Sequence, residues 1–156
     1  MTMSNIEARL TALGLTLPAA GAPVANYVPV VVDDGIAVVS GQLPREGERL
    51  IAGRVGEDLT VEDGQAAARL CGLAVLAQLR HALDGDLDRV RRCVQLTGFV
   101  NAAPGFIDHP QVINGASDLM VAVFGEAGRH ARAAVGAGSL PLGAAVEVAA
   151  TFAVAR

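Results

Sequence analysis

The chain has 156 residues, enough for one domain with a substantial core, and its 52% apolar content is Val, Leu, Ile and Ala rather than aromatic, with four Phe, one Tyr and no Trp. A net charge of −4, with no basic run and no stripe of mixed aromatic and basic residues, argues against a nucleic-acid partner, whose affinity rests on a basic footprint. No apolar run reaches the about 20 residues that cross a bilayer, and the opening residues carry Glu7 and lack a continuous apolar stretch, so neither a membrane span nor a secretory leader is expected.

Cys71 and Cys93 stand without a C-x-x-C or Cys/His neighbour. They read as reduced thiols of a cytoplasmic protein, each a small buried hydrophobe. The mean hydropathy of +0.43 has two sources open to it: apolar surface buried between subunits, or an alanine-rich composition.

Ser4-x-x-Glu7 has the form of a capping box and predicts a helix over 5–13, ended by Gly14; residues 17–23 are a Pro/Ala/Gly loop. Valines predict a strand over 27–32, Asp33-Asp34-Gly35 a tight turn, and 36–39 the return strand of an antiparallel hairpin. Ser40-Gly41-Gln42-Leu43-Pro44 reads as a break, and 45–56 as a surface excursion with a short strand at 50–52. Thr60, followed by Glu62 and Asp63, opens the longest helix, with Ala66, Leu70, Leu73 and Ala77 at helical spacing and Asp84-Gly85 as its stop. A long strand is predicted over 89–100. Asp108 and Pro110 open a second helix whose buried face is Val112, Ala116, Leu119 and Val123, stopped by Gly125. Two strands, 132–137 and 145–153, flank a Leu-Pro turn. The pattern predicts one α+β domain over 1–156, with 1–21 as an N-terminal extension: a single antiparallel or mixed sheet with both long helices on one face. The other face needs a cover, and oligomerisation supplies one.

Arg132 heads the first of the two final strands, inside an otherwise uncharged run. A guanidinium stays charged at any working pH and presents five donors in a rigid fork. Among alanines and valines it calls for an anion, either the carboxylate of a small ligand or a protein carboxylate such as Glu147.

The stretch Ala131-Arg132-x-x-Val135, then Leu140-Pro141, then Val146-Glu147-Val148-Ala149 resembles the A-R-x-x-V…L-P…[VI]-E-[VI]-E ending of the RidA/YjgF family. Ala22-Pro-x-Ala25-x-Tyr27 resembles that family's A-P-x-A-x-Y opening, Ser40-Gly41-Gln42 its S-G-Q segment, and Asn114 the polar residue of its V-N-x-x. The resemblance implies a chorismate-mutase-like fold, a homotrimer, no cofactor, and clefts between subunits that bind 2-imino or 2-keto acids. Arg132 then binds the ligand carboxylate, with Tyr27, Ser40, Gly41, Asn114 and Glu147 around it. Each also has a plain structural reading, as an edge tyrosine, turn residues, an outer helix position or an ion-pair partner. The final Glu of the family ending is Ala149 here, and Ala134 stands where relatives often carry Cys. Imine hydrolysis needs a water aimed at the C=N carbon and a proton for the nitrogen, and a methyl group supplies neither. Glu147 shares the strand face of residue 149, about 6–7 Å away. The expectation is therefore a carboxylate-binding protein with weak or absent deaminase activity. The alternatives are an active imine deaminase and, third, an endoribonuclease or translation inhibitor. His81, His109 and His130 show no zinc spacing. Alternation puts His130 on the side of Arg132, as a cleft acid or as a solvent-facing loop residue.

Overall fold

Capping chemistry opens the longest helix: the Thr60 hydroxyl accepts from the Asp63 N–H at 3.1 Å, and the Asp63 carboxylate accepts from the Thr60 N–H at 2.9 Å. The Thr60 backbone N–H, and after it the Thr60 hydroxyl, hold the Asp63 carboxyl below its usual range. The computed structural model describes residues 4–23 and 25–156, so Val24, inside the opening motif, and the first three residues lie outside it. Among the described residues the helices are α1 (Asn5–Ala12), α2 (Val61–Ala82) and α3 (His109–Phe124). The strands are β1 (Val30–Asp33), β2 (Ile36–Gln42), β3 (Arg45–Glu46), β4 (Arg49–Leu50), β5 (Val90–Asn101), β6 (Ala131–Ala137) and β7 (Val146–Val154).

The main sheet runs β1-β2-β7-β5-β6, and β3 and β4 form a separate small hairpin. All neighbours in the main sheet are antiparallel except β5 and β6, which run parallel. That parallel pair needs a crossover, and α3 supplies it. The two final strands are therefore not neighbours: β5 lies between β6 and β7. Both long helices pack on one face of the mixed sheet, as the element pattern predicted. Phe152, Leu76, Leu79, Leu96, Ile113, Leu119 and Met120 are fully buried between the layers.

The structure departs from three sequence expectations. The first strand starts at Val30 rather than residue 27. Ser40-Gly41-Gln42 is not a turn but the bulged end of β2, where the register against β7 shifts between Val39 and Gln42. The Gln42 amide fastens the bulge by donating to the Ser40 carbonyl at 3.1 Å. The buried face of α2 begins with Gly64, Ala67, Ala68, Cys71, Gly72 and Val75 and continues through Leu76, Ala77 and Leu79; of the predicted stripe Ala77 is buried, while Ala66 is exposed and Leu70 and Leu73 are half-buried. Small residues face inward because α3 lies close: a Cβ on Gly72 would sit 2.8 Å from Leu119 Cδ2. The predicted α3 face holds, with Val112, Ala116, Leu119 and Val123 all buried.

The sheet's other face is open. Val31, Ile36, Val38 and Val135 are 40–52% exposed there. Among the described residues no helix is long and apolar enough to cross a membrane.

Candidate functional site

The bulge at the end of β2 opens a cavity of about 560 Å³. Tyr27, Ser40, Gly41 and Glu147 line it, together with the loop around Pro18–Pro23, Leu43 and Arg45 from the excursion, and Leu142. Glu147 projects from β7 toward the bulge, opposite Phe99 of β5. Burial raises its carboxyl pKa above the ordinary range. Gly41 makes room for that carboxyl: a Cβ there would lie 2.3 Å from Glu147 Oε1. Because the obstructing atom ends a flexible side chain, Gly41→Ala is expected to fold while turning the acid away from the cavity. Its overpacking cost is about 1 kcal/mol, readable by thermal unfolding. Ala149 lies on the same strand face but is paired with Thr97 and does not line the cavity.

Arg132 and Asn114 form a second group. Arg132 opposes Leu96 on β5, which is buried under the helices, so its side chain emerges on the helix side of the edge strand β6. There its Nη1 donates to Asn114 Oδ1 at 2.8 Å and to Ser117 Oγ at 3.2 Å, both on α3. Both partners are neutral. Among the described residues the ion pairs are Arg80–Glu7, Arg129–Glu126 and Arg156–Asp34, and Arg132 joins none. Among the described residues its Nη2 and Nε make no hydrogen bond, and the side chain is exposed. Glu147 is not its partner: Glu147 opposes Phe99 and Phe99 opposes Val135, which places Glu147 on the open face, two strands from β6. At about 4.8 Å per strand, and through the sheet, the two charges cannot meet in one copy of the chain.

The site residues expected from sequence thus fall into two sets. Tyr27, Ser40, Gly41 and Glu147 share the cavity, while Arg132 and Asn114 sit together at the far edge of the sheet. Both thiols are buried: burial pushes Cys71 well up, with the Glu147 charge adding to it, and pushes Cys93 up to about 12, which disfavours the nucleophilic thiolate at both.

Residues 7–153 match the family model described as "YjgF/chorismate mutase-like, putative endoribonuclease". The chain belongs to the RidA/YjgF family. It is 54% identical over 146 residues to Protein TCP17 of Trypanosoma cruzi, covering 92% of this chain and 91% of that protein. Among solved structures, Atu1372 of Agrobacterium tumefaciens is 49% identical with a TM-score of 0.89, over 96% of this chain and 92% of that one. RidA from an Antarctic Psychrobacter superposes with a TM-score of 0.58 at 24% identity, over 86% of this chain and 94% of that one, a likeness of fold alone.

Motif reading of this RidA/YjgF chain passes over Ser117 beside Arg132, and leaves His130 open as a cleft acid or a solvent-facing loop residue. The structure half-buries His130 and bonds its Nε2 to Ser117 Oγ at 2.9 Å and its Nδ1 to the Gly128 carbonyl at 2.6 Å. The one available signal was alternation, which puts residues 130 and 132 on one side.

Proposed function

We propose that this protein assembles as a homotrimer and binds a small 2-imino or 2-keto acid in a cleft between neighbouring subunits. Arg132 of one subunit holds the carboxylate, and Glu147 of the next promotes hydrolysis of the imine to keto acid and ammonia. The observation that carries this reading is the division of the site. A guanidinium outside any ion pair among the described residues, held only by Nη1, and a cavity carboxyl lie on opposite faces of one sheet, and a second copy is what can bring them to one ligand. The open apolar face with Val31, Val38 and Val135 supports assembly of that kind.

The chemistry follows from the two groups. A forked guanidinium matches a carboxylate and fixes the C=N carbon beyond it. Water adds to that carbon while a proton reaches nitrogen, and the carbinolamine then collapses to the ketone and ammonia. A carboxyl whose pKa is raised by burial holds its proton to higher pH and so serves as the acid. Weakened turnover is the expectation from Ala149; Glu147 lines the cavity of the single chain and residue 149 does not, which supports Glu147 as the acid. The net charge of −4 argues against ribonuclease action.

The test uses freshly generated 2-iminobutanoate. Arg132→Ala and Glu147→Gln are each expected to lose ammonia release. Co-refolded in equal amounts, they are expected to recover about one quarter of wild-type activity, since random mixing gives half the clefts an intact arginine and half of those an intact acid. No recovery in a mixed assembly overturns the shared cleft. Wild-type protein that binds 2-oxobutanoate yet leaves the imine untouched removes the hydrolytic role and retains the binding one.

Glu147 also carries a stability signature. Its folded pKa lies above the unfolded value, so its favourable contribution is full at pH below the ordinary carboxylate range and is lost as pH rises through the raised value. Glu147→Gln is expected to flatten that fall in thermal unfolding scans from pH 4 upward, and an unchanged slope would mean the carboxyl is not desolvated.

A further inference from the structure

We infer that Ser117 and His130 are positioning residues that aim the Arg132 guanidinium at the ligand carboxylate; this rests on the assignment of Arg132 to that carboxylate. A carbonyl oxygen can only accept, so the 2.6 Å contact with Gly128 fixes the His130 proton on Nδ1. In neutral imidazole Nε2 is then an acceptor, and Ser117, 2.9 Å away, is its donor. With its hydrogen committed to His130, the Ser117 oxygen turns a lone pair to Arg132 Nη1 at 3.2 Å. Asn114 Oδ1 takes the same nitrogen at 2.8 Å. Among the described residues the fork is therefore held by one nitrogen, which leaves Nη2 and Nε for a ligand.

The chain of contacts has a specific direction. A helical serine can fold its hydroxyl back onto the carbonyl four residues earlier. His130 competes with that by offering a better placed acceptor, so removing His130 releases Ser117 to its own helix and leaves Arg132 on Asn114 alone. The contact spans 13 residues of sequence and ties the middle of α3 to the start of β6. It thereby couples the placement of Arg132 to the packing of the crossover helix.

The experiment measures 2-oxobutanoate binding by calorimetry and 2-iminobutanoate hydrolysis for Arg132→Ala, Ser117→Ala, His130→Ala, His130→Gln and the Ser117→Ala/His130→Ala pair. Ser117→Ala and His130→Ala are each expected to weaken binding about tenfold, the scale of one hydrogen bond to a charged group, with KM rising and kcat kept. The double variant is expected to bind no more weakly than either single one, because the two act as one unit. Glutamine keeps an acceptor near the position of Nε2, so His130→Gln is expected to restore most of the affinity. Wild-type affinity in both alanine variants, additive losses in the pair, or no rescue by glutamine overturns the inference. If Arg132→Ala itself binds like wild type, the carboxylate assignment fails first and the positioning role falls with it. That pattern is distinct from a failure confined to Ser117 and His130.

Discussion

Arg132→Ala is expected to raise the dissociation constant for 2-oxobutanoate about 100-fold, the scale of two charge-assisted hydrogen bonds at about 1.5 kcal/mol each. The two bonds come from Nη2 and Nε, since Nη1 is already engaged by Asn114 and Ser117. Arg132→Lys keeps the charge and loses the fork, so a loss of about tenfold is expected. The two variants together separate attraction from geometry. Neither is expected to change stability by more than about 0.5 kcal/mol, because the residue is exposed and its partners turn to water when it is gone. Calorimetry for affinity, with thermal unfolding and sedimentation as controls, checks all of this. Loss of assembly in Arg132→Ala would make the arginine structural and sink the site.

What the sequence made legible was local chemistry. The hydroxyl of Thr60 with Asp63 three residues on, the Asp-Asp-Gly turn between β1 and β2, and Gly125 at the end of α3 are all contained within a few residues. The α3 face was legible because its large residues, Val112, Leu119 and Val123, are the buried ones. The first half of the α2 face was not, because there the closest approach of two helices selects Gly64, Ala67, Cys71 and Gly72 and leaves Leu70 and Leu73 at the margin. Size-weighted periodicity points to the wrong stripe when contact is this close. Pairing across the sheet was likewise hidden. The Leu-Pro turn joins β6 to β7 in sequence, while parallel pairing through α3 puts β5 between them. Two consequences for the site follow from that one strand. Arg132 and Glu147, separated by fifteen positions in the chain, land on opposite faces, so the ion pair open from sequence does not form. Ser117 and His130 meet only because α3 returns over β6.

Gly115→Ala is expected to destabilise the protein by about 2 kcal/mol and, through the same displacement, to weaken carboxylate binding. A Cβ at Gly115 would lie 2.1 Å from the Gln65 carbonyl oxygen, 2.9 Å from its carbon and 3.2 Å from the Arg69 nitrogen. These are backbone atoms of α2, so no side chain can turn aside and the helices have to separate. Overpacking of this kind costs about 1–3 kcal/mol, and the better helix propensity of alanine returns up to about 1 kcal/mol. For a chain of this size the net loss lowers Tm by about 4–8 °C. Gly138→Ala is the control: nothing lies within 4 Å of its Cβ and its backbone is not left-handed, so near-neutral behaviour is expected. The consequence for function comes from the neighbour. Asn114 precedes Gly115 on α3 and holds Arg132 at 2.8 Å, with Ser117 three positions away from it. A helix pushed off α2 carries both anchors with it. A folded Gly115→Ala protein with lowered Tm and wild-type affinity would show that Arg132 finds its ligand without α3, and the coupling of helix packing to the guanidinium would then be wrong.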